Sequence, residues 1–233
     1  MRLLVTRPEP DGARTAASLR ARSHTVVLAP LLRIELLDFE LPDEPWSAVV
    51  MTSANAARAV AEHPRRAALI ARDAYTVGRH TAEAARAAGF RTVHSAEGDK
   101  DDLAVMLRAR RGEASGPLLY LAGEDRAGEI AAGGAPVVTV VTYRAVQVKH
   151  FAPEVAAALA RRALDGVFHF STRSAQAYLD CAARAGILDA ALAPLHVCVS
   201  RQVAQPLAAA GAAAIRIAPR PDESAMIELI GPA

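Results

Sequence analysis

Short apolar runs alternate with alanine-rich segments along almost the whole chain. Most of these runs are only a few residues long and end at a hydroxyl, a glycine or an arginine. A strand of a parallel sheet reads as a continuous apolar run, because helices cover both faces of the sheet. Strands that alternate with helices therefore predict parallel βαβ units with right-handed crossovers.

The pattern predicts strands at 2–6, 25–28, 48–51, 74–77, 92–94, 118–121, 166–170, 195–199 and 214–217. It predicts extended segments at 31–37 and 137–148. Helices are expected at about 10–22, 79–88, 101–110 and 153–163, with others ending near 62, 184 and 210 and a last one starting at 222. The predicted fold class is α/β.

The stretch at 48–56, Ala-Val-Val-Met-Thr-Ser-Ala-Asn-Ala, indicates how one strand leads into a helix. Its apolar run ends at Thr52 and Ser53, whose hydroxyls suit a helix N-cap, and the alanines that follow favour helix. Open α/β sheets bind ligands at the carboxyl ends of their strands, so this turn is a candidate binding element. An ordinary capped turn without function is the plain alternative.

This stretch occurs a second time, as Gly-Val-Phe-His-Phe-Ser-Thr-Arg-Ser at 166–174, where Ser171 aligns with Ser53. Farther along, Val-Gly-Arg-His-Thr-Ala at 77–82 aligns with Val-Ser-Arg-Gln-Val-Ala at 199–204. The repeat predicts two similar α/β units, each with a serine-bearing turn and an arginine-bearing turn.

The strand count predicts that one of these units is discontinuous. Residues 1–35 supply only two strands, too few for a stable domain, and 150–233 also look incomplete. Residues 40–142 look complete. We therefore expect one domain made of 1–35 and 150–233, with 40–142 inserted as a second domain. The connections, at about 31–40 and 141–149, are expected to cross side by side.

Composition narrows the functional class. The 233 residues are enough for one large or two small domains, and 52% of them are hydrophobic, which allows a sizeable core. The net charge of +2 argues against a strongly basic nucleic-acid binder. Lys100 and Lys149 are the only lysines. The many arginines suit bidentate binding of carboxylates, although a bias in genomic base composition is the alternative explanation.

The cysteines and the chain start point to the cytoplasm. Cys181 and Cys198 are far apart and show no C-x-x-C spacing, which favours a disulfide-free protein in a reducing compartment. The chain opens with a strand rather than a charged-then-apolar leader, and no apolar run approaches the length of a membrane helix. The seven histidines have no metal-binding spacing, so no metal site is predicted.

The expected strand ends carry hydroxyls, glycines and arginines instead of a known catalytic motif. G-x-G-x-x-G, the P-loop and the G-x-S-x-G elbow are all absent from the sequence. Hydroxyls and helix N-terminal amides donate hydrogen bonds to anions, and clustered arginines attract a polyanion. Any one of these arginines taken alone suits an ordinary exposed charge. Their recurrence at equivalent strand ends favours a polyanion site. The arginines concerned are Arg7, Arg79, Arg126, Arg173 and Arg201.

A set of short motifs then indicates a family. In chain order they are Val5-Thr6-Arg7-Pro8, Thr52-Ser53-Ala54-Asn55-Ala56, Val77-Gly78 with Thr81-Ala82, Gly89-Phe90, Leu121-Ala122-Gly123 with Arg126, Val141-Thr142-Tyr143, Phe170-Ser171, and Ala204 with Gly211. Their order and spacing resemble the uroporphyrinogen-III synthase family over essentially the whole chain. The resemblance implies two flavodoxin-like parallel-sheet domains joined by a two-stranded β linker, with the first domain discontinuous and the active site in the cleft between the domains.

The resemblance also implies the reaction. Hydroxymethylbilane, a linear tetrapyrrole octacarboxylate, loses water and closes to uroporphyrinogen III with inversion of ring D, through a spiro intermediate. No metal or organic cofactor is implied. The expected partners are this substrate and, as a transient contact, the preceding enzyme of the pathway. The protein is expected to be a cytoplasmic monomer with neither nucleic acid nor membrane as a partner.

Positions that match the family motifs imply the site residues. Tyr143 is the candidate acid that assists loss of the hydroxyl, with a tyrosine that merely packs the linker as the alternative. The family often has Gly-Pro-Thr-Thr-Ala at 200–204, so this chain lacks a threonine hydroxyl at Val203, which Ser200 or Arg201 could replace. The implied substrate-binding residues are Arg7, Thr52, Ser53, Gly78, Thr81, Gly123, Arg126, Ser171, Ser200 and Arg201.

Two functions stay open at this point. The first is the cyclising synthase, which the hydroxyls at 52, 53, 81 and 171 together with Tyr143 favour. The second is a non-catalytic two-domain module that binds an anion or regulates another protein. In either case Ser53 and Ser171 are expected to face each other across the cleft. They would bind carboxylates and not act as nucleophiles, because no His–acid pair is placed to activate them.

Overall fold

The computed structural model describes residues 1–43, 45–96, 100–109, 116–125, 128, 130–132 and 134–231. The chain divides into two compact units. Unit 1 consists of Met1–Arg33 and Val146–Ala233, and unit 2 is Ile34–Ala145. Each unit is built around one sheet.

The strands are β1 Arg2–Val5, β2 Thr25–Leu28, β3 Leu32–Leu36, β4 Ala48–Met51, β5 Ala74–Val77, β6 Val93–Ala96, β7 Leu118–Gly123, β8 Val137–Gln147, β9 Gly166–His169, β10 Leu195–Cys198 and β11 Ile215–Ile217. The helices are α1 Asp11–Arg20, α2 Ala54–Glu62, α3 Arg66–Ile70, α4 Gly78–Ala87, α5 Lys100–Ala109, α6 Pro153–Ala160, α7 Thr172–Arg184, α8 Leu188–Leu192, α9 Arg201–Ala209 and α10 Glu223–Glu228.

The strands form two almost entirely parallel sheets. The first has the order β11-β10-β9-β1-β2, and all its pairs are parallel. The second has the order β3-β8-β7-β4-β5-β6, in which the pairs from β8 to β6 are parallel. β3 runs antiparallel to β8, because Leu37 N–H donates to Thr142 O and Val148 N–H donates to Leu31 O. These two strands form a two-stranded connection where the chain passes between the units.

The two sheets have the same spatial arrangement of strands, but the first strand along the chain occupies a different position in each sheet. In the first sheet β1 has β2 on one side and β9, β10 and β11 on the other. In the second sheet β7 has β8 on one side and β4, β5 and β6 on the other. The first sheet has the flavodoxin-like order and the second has the same arrangement in a circularly permuted order, so the predicted α/β fold class is confirmed. The repeated stretches at 48–56 and 166–174 begin with the equivalent strands β4 and β9.

Helices cover both faces of the first sheet. Residues of α6, α7, α8 and α9 pack on one face, where Leu4 and Val167 point toward Tyr178. Residues of α1 and α10 pack on the other face, where Leu3 and Val5 point. Successive side chains of a strand point to opposite faces, so a strand buried on both sides must be apolar throughout.

The second sheet is covered in the same way. α2, α3 and α4 pack on the face to which Val49 and Met51 point, and the same cluster includes the single tryptophan, Trp46. α5 packs on the opposite face with Val50 and Leu103. The continuous apolar run of β4 is therefore explained by burial on both sides.

Two helices were not expected from the sequence. α3 and α8 have five residues each, too few turns for hydrophobic periodicity to indicate a helix. The extended segments at 31–37 and 137–148 are strands β3 and β8. Position 110, the expected end of the helix from 101, lies outside the described residues.

Within the described ranges, no helix is both long and apolar enough to cross a membrane. In that same part of the chain, no group of three or more His, Cys, Asp and Glu side chains could hold a metal ion. Cys181 and Cys198 are buried free thiols.

A pair of histidines, His169 at the end of β9 and His196 within β10, lies in the core of unit 1. His169 and His196 are both 0% exposed, and His169 Nε2 lies 3.1 Å from His196 Nδ1. His169 Nδ1 has no hydrogen-bond partner among the described residues. Burial lowers the pKa of His196 to about 4. Burial, together with the neighbouring His196, lowers the pKa of His169 well below its usual value. Both rings are therefore neutral in the folded protein at neutral pH.

We expect the protein to lose stability as the pH falls from 6.5 toward about 4. The unfolded chain protonates both histidines in this range whereas the folded core keeps them neutral, so acid favours the unfolded state. The shift at His196 alone corresponds to a loss on the order of 3 kcal/mol. Urea unfolding followed by circular dichroism at a series of pH values measures it.

The combined substitution His169→Gln and His196→Gln should flatten this part of the stability profile. The exposed His150 provides the matched control, because His150→Gln should leave the profile unchanged. A double variant with the wild-type pH dependence would contradict the assignment to the buried pair.

Candidate active site

Each sheet has a topological switch point. It is the place between two adjacent strands from which the chain continues toward one edge of the sheet after one strand and toward the other edge after its neighbour. It lies between β1 and β9 in the first sheet and between β7 and β4 in the second. Ligands of open α/β sheets bind at the carboxyl ends of such strands. Arg7 and Ser171 follow β1 and β9, Thr52 and Ser53 follow β4, and Gly123 ends β7. The structure therefore places these five predicted residues at the switch point of their own sheet.

The turn after β4 presents two hydroxyls. Ser53 has an extended backbone and is the N-cap of α2, with its Oγ accepting a hydrogen bond from Asn55 N–H at 3.2 Å. Thr52 Oγ1 lies 3.1 Å from the hydroxyl of Tyr120. Thr52 and Ser53 are both half-buried. The predicted cap is present, and each hydroxyl is held by a second group.

A β-bulge aims Tyr143 at this turn. β8 pairs regularly with β7 as far as Ala122 and Val141, but the next pair is Gly123 with Tyr143, so Thr142 is an extra residue. Thr142 is buried, and its hydroxyl donates to Ala122 O at 3.3 Å. Bulges re-aim side chains in this way and are frequent next to active sites.

Gly123 makes room for the Tyr143 ring. A Cβ at position 123 would lie 2.7 Å from Tyr143 Cζ and 2.8 Å from its hydroxyl oxygen, closer than such atoms can approach. Burial raises the pKa of Tyr143, and an interaction of its hydroxyl with the Ser53 side chain partly offsets this rise. The structure thus gives Gly123 a steric role that the sequence did not indicate.

The second turn of unit 2 starts α4. Gly78 has a φ of 74°, which glycine adopts readily and other residues do not. Val77, the N-cap residue, gives no side-chain cap, so the first N–H groups of α4 stay available to a ligand or to water. Thr81 is buried on α4. Arg79 is exposed and lies 3.5 Å from Glu83.

Two capped helices meet at the carboxyl edge of the first sheet. Ser171 Oγ accepts a hydrogen bond from Ser174 N–H at 3.1 Å, and Ser200 Oγ accepts one from Val203 N–H at 3.4 Å. The Thr172 hydroxyl donates to Gln202 O at 3.5 Å, which joins the first turns of α7 and α9. Two helix N-termini therefore lie side by side within unit 1.

The arginine-bearing turns of the two units correspond in burial. Arg201 is exposed, as is Arg79. Val203 is 4% exposed and Thr81, its counterpart, is 6% exposed. The valine therefore fills a core position, and Ser200 provides a hydroxyl near the start of α9.

Arg7 follows β1, but its guanidinium already has partners. It donates to Glu223 Oε2 at 2.8 Å, lies 3.6 Å from Asp11 and stacks over the Phe170 ring at 4.5 Å from the centroid. Burial lowers the pKa of Arg7, while the carboxylates of Asp11 and Glu223 oppose this shift. Arg7 therefore joins the end of β1 to the start of α10. Arg126 lies outside the described residues.

Sequence reasoning missed Tyr120. It lies inside an apolar strand, where an aromatic residue counts as core, and its ring is 1% exposed. The available signal was chemical, because a buried tyrosine hydroxyl usually needs a polar partner. In the structure the polar partner of the Tyr120 hydroxyl is Thr52, in the hydroxyl-bearing turn after β4.

A protein-family model described as Uroporphyrinogen-III synthase HemD matches residues 13–228. This chain belongs to the uroporphyrinogen-III synthase family. The family resemblance expected from the sequence motifs is thereby confirmed. Comparison with curated protein sequences returned no match.

Solved uroporphyrinogen-III synthases have a similar fold. The structure of the Helicobacter pylori protein matches with a TM-score of 0.67 and 18% identity, covering 99% of this chain and 98% of that one. A mutant of the Thermus thermophilus enzyme matches with a TM-score of 0.55 and 16% identity, covering 99% and 97%. At these identities the likeness shows the fold.

Membership in the uroporphyrinogen-III synthase family establishes the enzyme class. The chain is a cyclising lyase of haem biosynthesis, which forms uroporphyrinogen III from hydroxymethylbilane. The predicted function is confirmed, and nothing favours the non-catalytic anion-binding module.

We expect Gly123→Ala to slow turnover by displacing Tyr143. The added methyl group would overlap the ring and push the hydroxyl away from Ser53. A loss of about tenfold or more in kcat is expected, since a small misplacement of a reacting group has effects of this size. Steady-state kinetics and urea unfolding of the variant measure both consequences.

Gly186→Ala is the matched control. Gly186 has a φ of 65° with open space around its Cβ position, so alanine there strains the backbone without touching the site. It should lower stability and leave kcat unchanged. Wild-type kcat in Gly123→Ala would mean that the position of the Tyr143 ring does not matter.

Proposed function

We propose that the carboxyl edges of the two sheets hold the carboxylates of hydroxymethylbilane while Tyr143 assists the departure of its hydroxyl. The observation that carries this proposal is the position of Tyr143 against the Thr52-Ser53 turn, at the switch point of the second sheet. A phenol and two hydroxyls beside a helix N-terminus suit a site where negative charge binds or develops.

The carboxylates are held by helix N-termini and hydroxyls. In unit 2 these belong to α2, which Ser53 caps, and to α4, which starts at Gly78. In unit 1 they belong to α7 and α9, which Ser171 and Ser200 cap. The first N–H groups of a helix have no acceptor within the helix, and its N-terminus carries partial positive charge. Thr52 and the exposed Arg201 add donors at the same edges.

Tyr143 acts as a neutral hydrogen-bond donor. Burial raises its pKa, so the phenol keeps its proton at neutral pH and can donate it to the leaving hydroxyl. A raised pKa makes it a weak acid. Its contribution is therefore a directed hydrogen bond to the departing oxygen.

Selectivity comes from positioning. Loss of the hydroxyl is easy and the substrate also closes spontaneously to the type-I isomer, so the enzyme must hold ring D in the orientation that gives inversion. Fixed donors to many carboxylates can do this without a strongly shifted catalytic acid.

Three further predicted residues belong to the proposed site. Arg7 stays a candidate carboxylate ligand, which would have to share its guanidinium with Glu223 and Asp11. Thr81 is buried near the start of α4, and its hydroxyl is a candidate donor there. Arg126, outside the described residues, stays a candidate counter-charge.

The protein is proposed to work as a monomer in the cytoplasm. Large exposed hydrophobic residues in the described chain are single residues on different elements, namely Met1, Leu36, Val105 and Ile217. Scattered residues of this kind do not form an association surface. Two free thiols fit a reducing compartment. Because hydroxymethylbilane closes on its own, a transient contact with the enzyme that produces it remains a further expectation.

The function is tested with hydroxymethylbilane generated enzymatically in the assay. Type-III uroporphyrinogen should be the dominant product, identified after oxidation by chromatographic separation of the isomers. A reaction without the chain should give the type-I isomer. Formation of type I alone in its presence would refute the proposal.

We expect Tyr143→Phe to slow turnover more than it weakens product binding. The ring still packs beside Gly123, but the donor to the leaving oxygen is lost, which should reduce kcat about 10- to 100-fold. Stopped-flow or quenched turnover measures kcat, and fluorescence quenching by uroporphyrin III measures binding. Equal small effects on both would identify Tyr143 as a packing residue.

A further inference from the structure

Tyr120 approaches the candidate site from the face opposite to Tyr143. Its ring is 1% exposed in the cluster with Ala48 and Val50, whereas Tyr143 packs against the cluster of Val49. The hydroxyls of the two tyrosines reach the same turn, Tyr120 at Thr52 and Tyr143 at Ser53.

The Tyr120 hydroxyl has one hydrogen-bond partner among the described residues. Its oxygen lies 3.1 Å from Thr52 Oγ1. Among the described residues, this contact is also the single hydrogen bond of the Thr52 side chain. Thr52 is half-buried and directly follows β4, so it lies at the carboxyl edge of the sheet.

This arrangement favours one direction of a hydrogen bond in which either hydroxyl can donate. A buried phenol without an acceptor for its proton is costly, and among the described residues Thr52 Oγ1 is the acceptor within reach. If Thr52 donated instead, the buried proton of Tyr120 would have no partner among those residues, whereas the Thr52 proton could still meet a ligand or water. Donation from Tyr120 to Thr52 is therefore the favoured direction, and it leaves the Thr52 proton for another acceptor.

We propose that Tyr120 is a positioning residue, which makes Thr52 an obligate hydrogen-bond donor toward a substrate carboxylate. A carboxylate is an acceptor only, so a hydroxyl whose lone pair is already engaged suits it better than a freely rotating one. Donation by the phenol also strengthens the hydrogen bond that Thr52 gives. This inference rests on the proposed function, because it deepens the role of Thr52 in that site.

The competing explanation is structural. The same hydrogen bond joins the neighbouring strands β7 and β4, so its loss could weaken the sheet without any effect on substrate. Both explanations predict a lower free energy of unfolding when the hydrogen bond is lost. The test therefore measures the KM for substrate and asks whether the effect of Tyr120 on KM requires the Thr52 hydroxyl.

The experiment is a double-mutant cycle with Tyr120→Phe, Thr52→Val and the combined variant, assayed for kcat and KM with enzymatically generated hydroxymethylbilane. Tyr120→Phe should raise KM about 3- to 10-fold, with kcat changed less than about twofold. Thr52→Val should raise KM at least as much. The combined variant should be no worse than Thr52→Val, since Tyr120 acts through the Thr52 hydroxyl.

Tyr178→Phe is the matched control. Tyr178 is also a fully buried tyrosine, and its hydroxyl donates to Ala191 O at 2.8 Å in unit 1, not in the unit that contains Thr52. Its loss should lower the urea midpoint comparably and leave KM unchanged. Thr52→Ser keeps the hydroxyl and should retain a KM near that of the wild type, which provides a test even if Tyr120→Phe folds poorly.

Three outcomes overturn the inference. They are an unchanged KM in a folded Tyr120→Phe, additive KM effects in the combined variant, and a KM for Thr52→Ser as poor as for Thr52→Val. Each is read only against a wild type that makes the type-III isomer. If the wild type yields type I alone, the proposed function itself has failed, so the two failures are distinct.

Discussion

The central strands β1, β9, β7 and β4 are covered by helices on both faces, and this double burial governs where polar chemistry can lie. A buried strand between two helical layers cannot carry an unpaired polar side chain along its length without a large cost. The hydroxyls and arginines of the candidate site therefore follow the strands, at the ends where the helices start. Because all strands of a parallel sheet end at the same edge, these groups collect there without any other constraint. The candidate site is thus a direct consequence of how the cores are packed.

Much of this architecture could be predicted from the sequence. Apolar runs such as 48–51 and 166–170 give parallel strands through their burial, and the serines that follow them act as caps, as their chemistry indicates. The features that escaped prediction depend on tertiary geometry. The aim of Tyr143 depends on an extra residue in one strand, and the role of Gly123 depends on which ring crosses it. Neither follows from local propensity or periodicity.

The arginine at the end of β1 illustrates the same limit. From the sequence, Arg7 is a cation after a strand and a natural contact for an anion. In the structure it is bound to Glu223, a residue 216 positions away, whose Oε2 also accepts from Thr15. Long-range pairing of this kind leaves no trace in the spacing of either residue. It shows that a guanidinium at a strand end can serve the fold, since it ties the last helix to the first strand.

The permuted order of the two sheets has a consequence for synthesis of the chain. Unit 2 is continuous, and the strands of its sheet are complete once Gln147 has left the ribosome. β1 and β2 are made first, yet their neighbour β9 comes from a segment translated after the whole of unit 2. Two strands alone do not form a stable sheet, so the N-terminal segment must remain unassembled while the inserted unit folds. The chain therefore starts its first domain before its second and completes it last.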